Sequence, residues 1–308
     1  MTQTKNLKVH LALISVSVLY GVAYIVNKYV LHYIPAAASV FCRTVGAGLI
    51  LYLFVHKEIV SRRPKRGEIK AILILSLFGI VFNMIAFMEG MQRTTATHAS
   101  VINASVPILT LLFSVFLRTE KLNIYRFSGM VMCITGILYL SEIEKMQWQS
   151  ELFVGDMLCA LNSAFFSFYL ALSRKIAKGI PPMVVTTGMF VFGAIILLPY
   201  SGPAFFNVSW DTFPPLFFAA LFYLVVASSV ITYFLNNWAL ARVESSAVGI
   251  YIYLQPIIAG CLSYLIFDER LTPRMILASL LVFSGVAIGN FWPLKQKKKE
   301  IYAEPHVS

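Results

Sequence analysis

The sequence predicts an all-α integral membrane fold, with ten transmembrane helices arranged as two inverted five-helix repeats. Three observations predict it: the composition, the length of the apolar runs, and an internal match at constant offset. The 308 residues are 58% hydrophobic and 13% charged, with a mean hydropathy of +0.76. A soluble domain carries about 25% charged residues, and a soluble surface has to be covered with polar groups that are scarce here. A lipid solvent removes that conflict, provided backbone groups are satisfied within helices or a closed barrel. The apolar runs are continuous over about 20 residues and do not alternate with period two, which excludes a barrel.

Spans are expected near residues 10–31, 36–56, 70–91, 97–117, 124–141, 153–174, 183–200, 215–237, 246–267 and 273–292. The first run is too long for the core of a signal peptide and is read as helix 1. Pro35, Pro64, Pro181, Pro182, Pro214, Pro215 and Pro273 fall in connections or at helix starts, where a missing N–H costs least. Pro199 and Gly202 are expected to close the seventh span early. With a cytoplasmic N-terminus, 19 of the 25 lysines and arginines fall on inner segments and four on outer ones, with Lys28 and Arg43 inside spans. That asymmetry places both termini in the cytoplasm and accounts for the net charge of +11 without a nucleic-acid partner. The plasma membrane is the expected location. Residues 293–308 form a basic cytoplasmic tail whose Lys295–Lys299 cluster faces anionic headgroups. Cys42, Cys133, Cys159 and Cys261 lie in apolar runs without a CxxC, which points to packing.

The halves, residues 10–141 and 153–292, match each other. Ser105-Val106-Pro107-Ile108 aligns with Leu254-Gln255-Pro256-Ile257, Thr119-Glu120-Lys121-Leu122 with Asp268-Glu269-Arg270-Leu271, and Gly136 with Gly285, all 149 positions apart. Pro35 with Pro182, and Gly46 with Gly193, are 147 apart. Five helices is an odd number, so the second copy enters the membrane upside down. That is the inverted-repeat design in which a substrate site lies between the halves near the bilayer midplane.

At these residues the chain resembles the drug/metabolite transporter superfamily, specifically the EamA-type permeases. The carriers are Tyr20-Gly21 through Lys28, Arg43 with Gly46, and the stretches Ala99–Leu122 and Ser245–Leu271 with their Glu-Lys-Leu and Glu-Arg-Leu ends. Tyr20 stands where the family usually has tryptophan. The resemblance implies ten helices, a central cavity, and efflux or uptake of small metabolites, often amino acids.

Pro107 and Pro256 lie at equivalent points of helices 4 and 9 and release the carbonyls of Asn103 and Ile252. Such breaks either kink a helix for packing or line a wet cavity. Arg43 has Phe190 as its repeat mate, and Glu89 has Trp238. Either Arg43 and Glu89 pair with each other, or Arg43 meets a substrate carboxylate or phosphate and Glu89 is a proton-coupling residue. Lys28 has Lys175 as its mate and reads as a snorkelling helix-end residue. Tyr20, Tyr24 and Asn27 share one face of helix 1 by their i, i+4, i+7 spacing. They join Asn83, Asn103, Asn162, Tyr253 and Gln255 as the substrate-binding set, with Tyr169, Asn236 and Asn237 as further polar positions. For each asparagine, interhelical hydrogen bonding is the competing reading. The expected cavity is bordered by helices 1, 3, 4, 6, 8 and 9, with Leu111 facing lipid.

No GxxxxGK[ST], HExxH or GxSxG motif is present, so no nucleotide-driven, zinc or serine-hydrolase chemistry is expected. No cofactor or metal is implied. Gly285 and Gly289 form a GxxxG that reads as packing within the chain rather than a dimer face, so a monomer and a homodimer both stay open. The leading reading is a secondary carrier of small metabolites working by alternating access. The alternative is an intramembrane lipid-modifying enzyme, which needs a cluster of acids or histidines where Glu89 alone is clearly at depth.

Overall fold

The computed structural model describes residues 2–62, 64–119, 123–141, 150–240, 242 and 251–303. The apolar runs become helices because lipid leaves the backbone no other partner. In chain order these are α1 (Thr2–Tyr33), α2 (Ala36–Arg62), α3 (Arg66–Arg93), α4 (Ala96–Phe116), α5 (Ile124–Leu140), α6 (Glu151–Ile176) and α7 (Pro182–Phe206). They are followed by α8 (Pro215–Asn236, continuing to Leu240), α9 (Leu254–Phe267) and α10 (Pro273–Ala303). Seven of them, α1–α4 and α6–α8, are long and apolar enough to cross a membrane, and the apolar parts of α5, α9 and α10 are shorter.

One sequence expectation changes. Pro199 does not end α7; both it and Pro203 lie inside the helix, which runs on to Phe206. The expected start of the ninth span at residue 246 lies outside the described residues, and α9 runs from Leu254. Residues 293–303, within the expected basic tail, continue α10 as helix. The Glu120-Lys121-Leu122 triplet also lies outside the described residues.

The helices pack in a recurring pattern. α2 lies along α7 and α5 along α10; α3 and α4 pack on α6, while α8 and α9 pack on α1. Exchanging the halves, each helix for the one five places on, maps α2–α7 and α5–α10 onto themselves and the other pairings onto one another. Two further features keep the sequence offset. α3 is interrupted by a π-helical turn at Leu77–Val81 and α8 by one at Val226–Ile231. The α5–α10 crossing is close: a Cβ on Gly129 would lie 2.3 Å from the Gly285 carbonyl oxygen, and one on Gly285 would lie 2.6 Å from the Gly129 carbonyl oxygen, while a Cβ on Gly289 would lie 2.4 Å from Ile108 of α4. The GxxxG of α10 is therefore spent inside the chain. The outward faces are apolar, with Phe54, Phe116 and Leu265 about three-quarters exposed, as a lipid-facing surface requires.

Candidate functional site

Between the halves lies a cavity with about 640 Å³ of empty space, its open mouth included. Helix periodicity decides which side chains reach it. On α1, Tyr20, Ala23, Tyr24 and Asn27 form one stripe along the wall. On α3, Asn83 and Phe87 are one turn apart with Met84 beside them. Asn103 and Val106 come from α4, Asn162 and Phe166 from α6, and Ser228 and Tyr233 from α8. Ile252 and Gln255, on either side of the break before α9, close the wall with Arg43 of α2.

Both helices that carry the matched prolines are broken. α4 is interrupted at Ala104 and Ser105, where Ala104 N–H and Ser105 N–H turn back to Val101 and Ile102 at 3.1 and 3.0 Å. Pro107 starts the second half. Tyr253 is the matching turn before Pro256. Asn103 and Ile252, whose carbonyls lose their i+4 donor to these prolines, both line the cavity.

Two hydrogen-bond networks organise the polar lining. Asn103 Nδ2 donates to Tyr24 Oη at 2.8 Å, Ser163 Oγ donates to Asn103 Oδ1 at 2.6 Å, and Tyr24 Oη lies 3.5 Å from Gln255 Oε1. This chain ties α1, α4, α6 and α9 together. Across it, Asn83 Nδ2 donates to the Asn162 carbonyl at 3.3 Å and Asn162 Nδ2 to the Asn83 carbonyl at 3.1 Å. That reciprocal pair is the interhelical bonding that was the competing reading for these asparagines, and the two residues reach the cavity as well.

Arg43 is buried, with 4% of its surface exposed. Its Nε donates to Ser229 Oγ at 3.2 Å, Nη2 to Ser228 Oγ at 3.2 Å and Nη1 to Asn27 Oδ1 at 3.3 Å. Ser228 and Ser229 belong to the π-helical turn of α8. The Ser229 hydroxyl donates to the Leu224 carbonyl at 2.9 Å, so its lone pair is left for Arg43. Among the described residues, Arg43 is the one charged residue of the cavity lining.

Several expectations are corrected. Glu89 does not pair with Arg43. It binds Arg93 one turn along α3 at 2.5 Å and accepts from Tyr200 Oη of α7 at 2.6 Å. It sits two residues past Phe87, roughly 200° around the helix, and so points away from the cavity. Tyr253 is not in the lining; its ring packs edge-on against Phe283 and its hydroxyl is buried without a partner. Leu111 is buried, not lipid-facing. Lys28 does not snorkel: its Nζ donates to the carbonyls of Met91 at 3.0 Å and Thr94 at 2.6 Å, capping the end of α3. Tyr169 is buried against Phe166 outside the lining. Asn236 Oδ1 is buried without a partner, and the Asn237 side chain lies outside the described residues.

Sequence reasoning missed α2 as a wall of the cavity and missed Ser228, Ser229 and Tyr233. The available signal was the repeat: Ser228-Ser229 stand where the first half has Gly79-Ile80, two hydroxyls in an apolar run. It also missed Asp156, a second acid in a span, fully buried on α6 and bonded to Thr94 Oγ1 and, at 2.9 Å, to His98 Nδ1. Among the described residues no three histidine, cysteine or acidic side chains group as metal ligands.

Comparison with known proteins agrees with this architecture. The model of the EamA-like transporter family matches residues 7–142 and again 153–291. The uncharacterized transporter YoaV of Bacillus subtilis is 25% identical over 288 residues, 92% of this chain and 97% of its own. An uncharacterized transporter of Archaeoglobus fulgidus is 23% identical over 91% of this chain and 96% of its own. A chloroplastic WAT1-related protein of Arabidopsis thaliana is 25% identical over 91% of this chain and 68% of its own. A solved crystal structure superposes with a TM-score of 0.65 at 17% identity, covering 94% of this chain and 98% of that one, which speaks for the fold.

Proposed function

The chain belongs to the EamA-like transporter family, and from that premise we propose that it is a secondary carrier of small metabolites. On this reading, solute binds in the central cavity and crosses by alternating access. The family makes it a multi-pass membrane transporter and not an enzyme, which removes the lipid-modifying alternative. The observation that carries the finer reading is the cavity itself: apolar and aromatic walls with a few converging polar groups, built from seven different helices across both halves. Such a site is what a passing solute needs.

The reading assigns residues 10–141 and 153–292 to two inverted repeats, giving ten crossings with both termini in the cytoplasm of a plasma-membrane protein. The exchangeable helix pairings and the two π-helical turns 149 positions apart support it. In that arrangement, rocking one half against the other opens the cavity to each side in turn. Tyr20, Tyr24, Asn27, Arg43, Asn83, Asn103, Asn162 and Gln255 are the solute contacts. Tyr253, outside the lining, is left out of that set, and Glu89 is held by Arg93 and Tyr200 on a face turned from the cavity.

Purified protein reconstituted in liposomes tests the function. Counterflow of a labelled solute without chemical change is the expected result, and it should fall with Tyr24→Phe or Asn103→Ala while protein yield holds. Flux unaltered by either change would reject this cavity as the route.

A further inference from the structure

The carrier reading leaves the substrate class open, and the surroundings of Arg43 narrow it. A guanidinium carries five N–H donors and does not give up its proton in proteins. Here three of them are met by neutral oxygens, those of Asn27, Ser228 and Ser229. Among the described residues no ion pair reaches Arg43. The acid that might have served it in α3, Glu89, is engaged by Arg93 and Tyr200 on another face. A buried charge without a countercharge is costly, most of all at membrane depth, and persists where it faces a partner or a wet cavity.

The repeat shows that the fold does not need this charge. The position matching Arg43 in the second half is Phe190, fully buried and packed edge-on against Tyr233. The residues matching Ser228 and Ser229 are Gly79 and Ile80, in the π-helical turn of α3. The repeat-related crossing, α7 against the π-helical turn of α3, is therefore built from apolar parts. Where α2 meets the π-helical turn of α8, the cation and both of its hydroxyl ligands replace those parts together. A guanidinium buried for packing alone would need the hydroxyls but not an opening to the cavity.

We propose that Arg43 is an anion-binding site, and that the protein carries monocarboxylates with an apolar body, docking their carboxylate on this guanidinium. The inference rests on the carrier reading. Two N–H donors of Arg43 remain for the carboxylate oxygens, and Asn27, Ser228 and Ser229 hold the guanidinium plane in place. The single positive charge selects the valence of the ligand: a carboxylate neutralises it, whereas a phosphate dianion would leave an uncompensated negative charge, since no other cation among the described residues lines the cavity. Tyr24, Phe87, Phe166 and Met84 supply the apolar surface for the body of the solute.

The test uses the purified full chain and matched pairs of probes that differ only at the acid: benzoate and benzamide, phenylacetate and phenylacetamide, L-phenylalanine and L-phenylalaninamide, with inorganic phosphate alongside. A ligand that binds the folded state raises the melting temperature by mass action, the shift growing with the logarithm of its concentration over its dissociation constant. We expect at least one acid to stabilise the protein with an affinity at least about tenfold above its amide, a factor set by roughly one charge-assisted contact. Arg43→Gln should abolish that response, and Arg43→Lys, which keeps the charge but loses the planar fork, should weaken it. The proposal is overturned if no acid shifts the melting temperature, if amides match their acids, if phosphate matches the acids, or if Arg43→Gln responds like the parent. Should Arg43→Gln not fold, the acid-to-amide ratio in the parent and the Arg43→Lys response decide the matter. Whether phenylacetate or phenylalanine is the better ligand tells a simple acid from an amino acid. Proteoliposome flux of the best probe separates the two levels. An acid that binds through Arg43 but is not carried sinks the carrier reading and leaves the site. An amide carried as well as its acid, with flux lost on Asn103→Ala, keeps the carrier and sinks the carboxylate.

Discussion

At the scale of single residues, polar groups at membrane depth fall into those that hold helices together and those that face the cavity. Asp156 belongs to the first kind. It is fully buried and binds Thr94 and His98, joining α6 to the start of α4. Asp156→Ala would leave a buried hydroxyl and a buried imidazole without their acceptor, at about 1–3 kcal/mol each. The expected outcome is a clear drop in melting temperature of the detergent-purified protein, with Asp156→Asn losing less. An unchanged melt for Asp156→Ala would show that the pair does not hold the helices. Asn103 belongs to both kinds, since it bonds Tyr24 and Ser163 while lining the cavity. Asn103→Ala should therefore change apparent affinity in flux by severalfold, one neutral hydrogen bond being worth about 0.5–1.5 kcal/mol. The matched control is Leu265→Ala on the outer surface of α9, 74% exposed; it should leave flux as it was. The candidate set was legible from polarity and helical spacing, except where a residue's direction mattered. Tyr253 and Glu89 are polar and in the right helices, yet both side chains turn away because one or two positions rotate a residue off the cavity face.

At the scale of helices, the α5–α10 crossing is set by glycine. A Cβ on Gly129 would come within 2.3 Å of the Gly285 carbonyl oxygen, and the mirror substitution at Gly285 within 2.6 Å of Gly129. These are backbone atoms that cannot step aside. Gly129→Leu should separate the two helices and cut the yield of monodisperse protein on size-exclusion chromatography sharply. Gly67→Ala, with nothing within 4 Å of the added atom, should not alter the profile. A monodisperse Gly129→Leu protein would mean the crossing is looser than its geometry requires. The GxxxG was legible as a close contact, and intrachain packing was the reading taken, but its partner helix was not named. Pro199 misled for a related reason. A proline removes one backbone bond and bends a helix, and whether the helix then stops depends on the packing beyond it; Tyr200 stays helical on α7, where its hydroxyl reaches Glu89.

At the scale of the molecule, the inverted repeat makes a topological prediction. Glu120 and Glu269 are equivalent positions of the sequence repeat, 149 apart, and in an inverted repeat equivalent helix ends lie on opposite sides of the membrane. In a background lacking Cys42, Cys133, Cys159 and Cys261, a cysteine at 269 should react with an impermeant thiol reagent on intact cells, while one at 120 should react only after the cells are opened. Labelling of both on intact cells would rule out the inversion. The exchange of α2–α7 and α5–α10 with themselves, and of α3–α6 with α8–α1, is the packing that such symmetry generates.

The sequence by itself determined the solvent, the helices and the doubling. Apolar length, charge asymmetry and a constant offset are one-dimensional signals, and lipid makes them decisive by leaving helix as the remaining way to satisfy the backbone. Tertiary structure decided which polar groups meet. Arg43 finds Ser228 and Ser229 185 and 186 residues away, and Glu89 finds Arg93 instead of Arg43. Those choices depend on helix rotation and on the π-helical turns that shift it. A turn of about 100° per residue moves a side chain from the cavity to a neighbouring helix without changing anything in the hydropathy of the sequence.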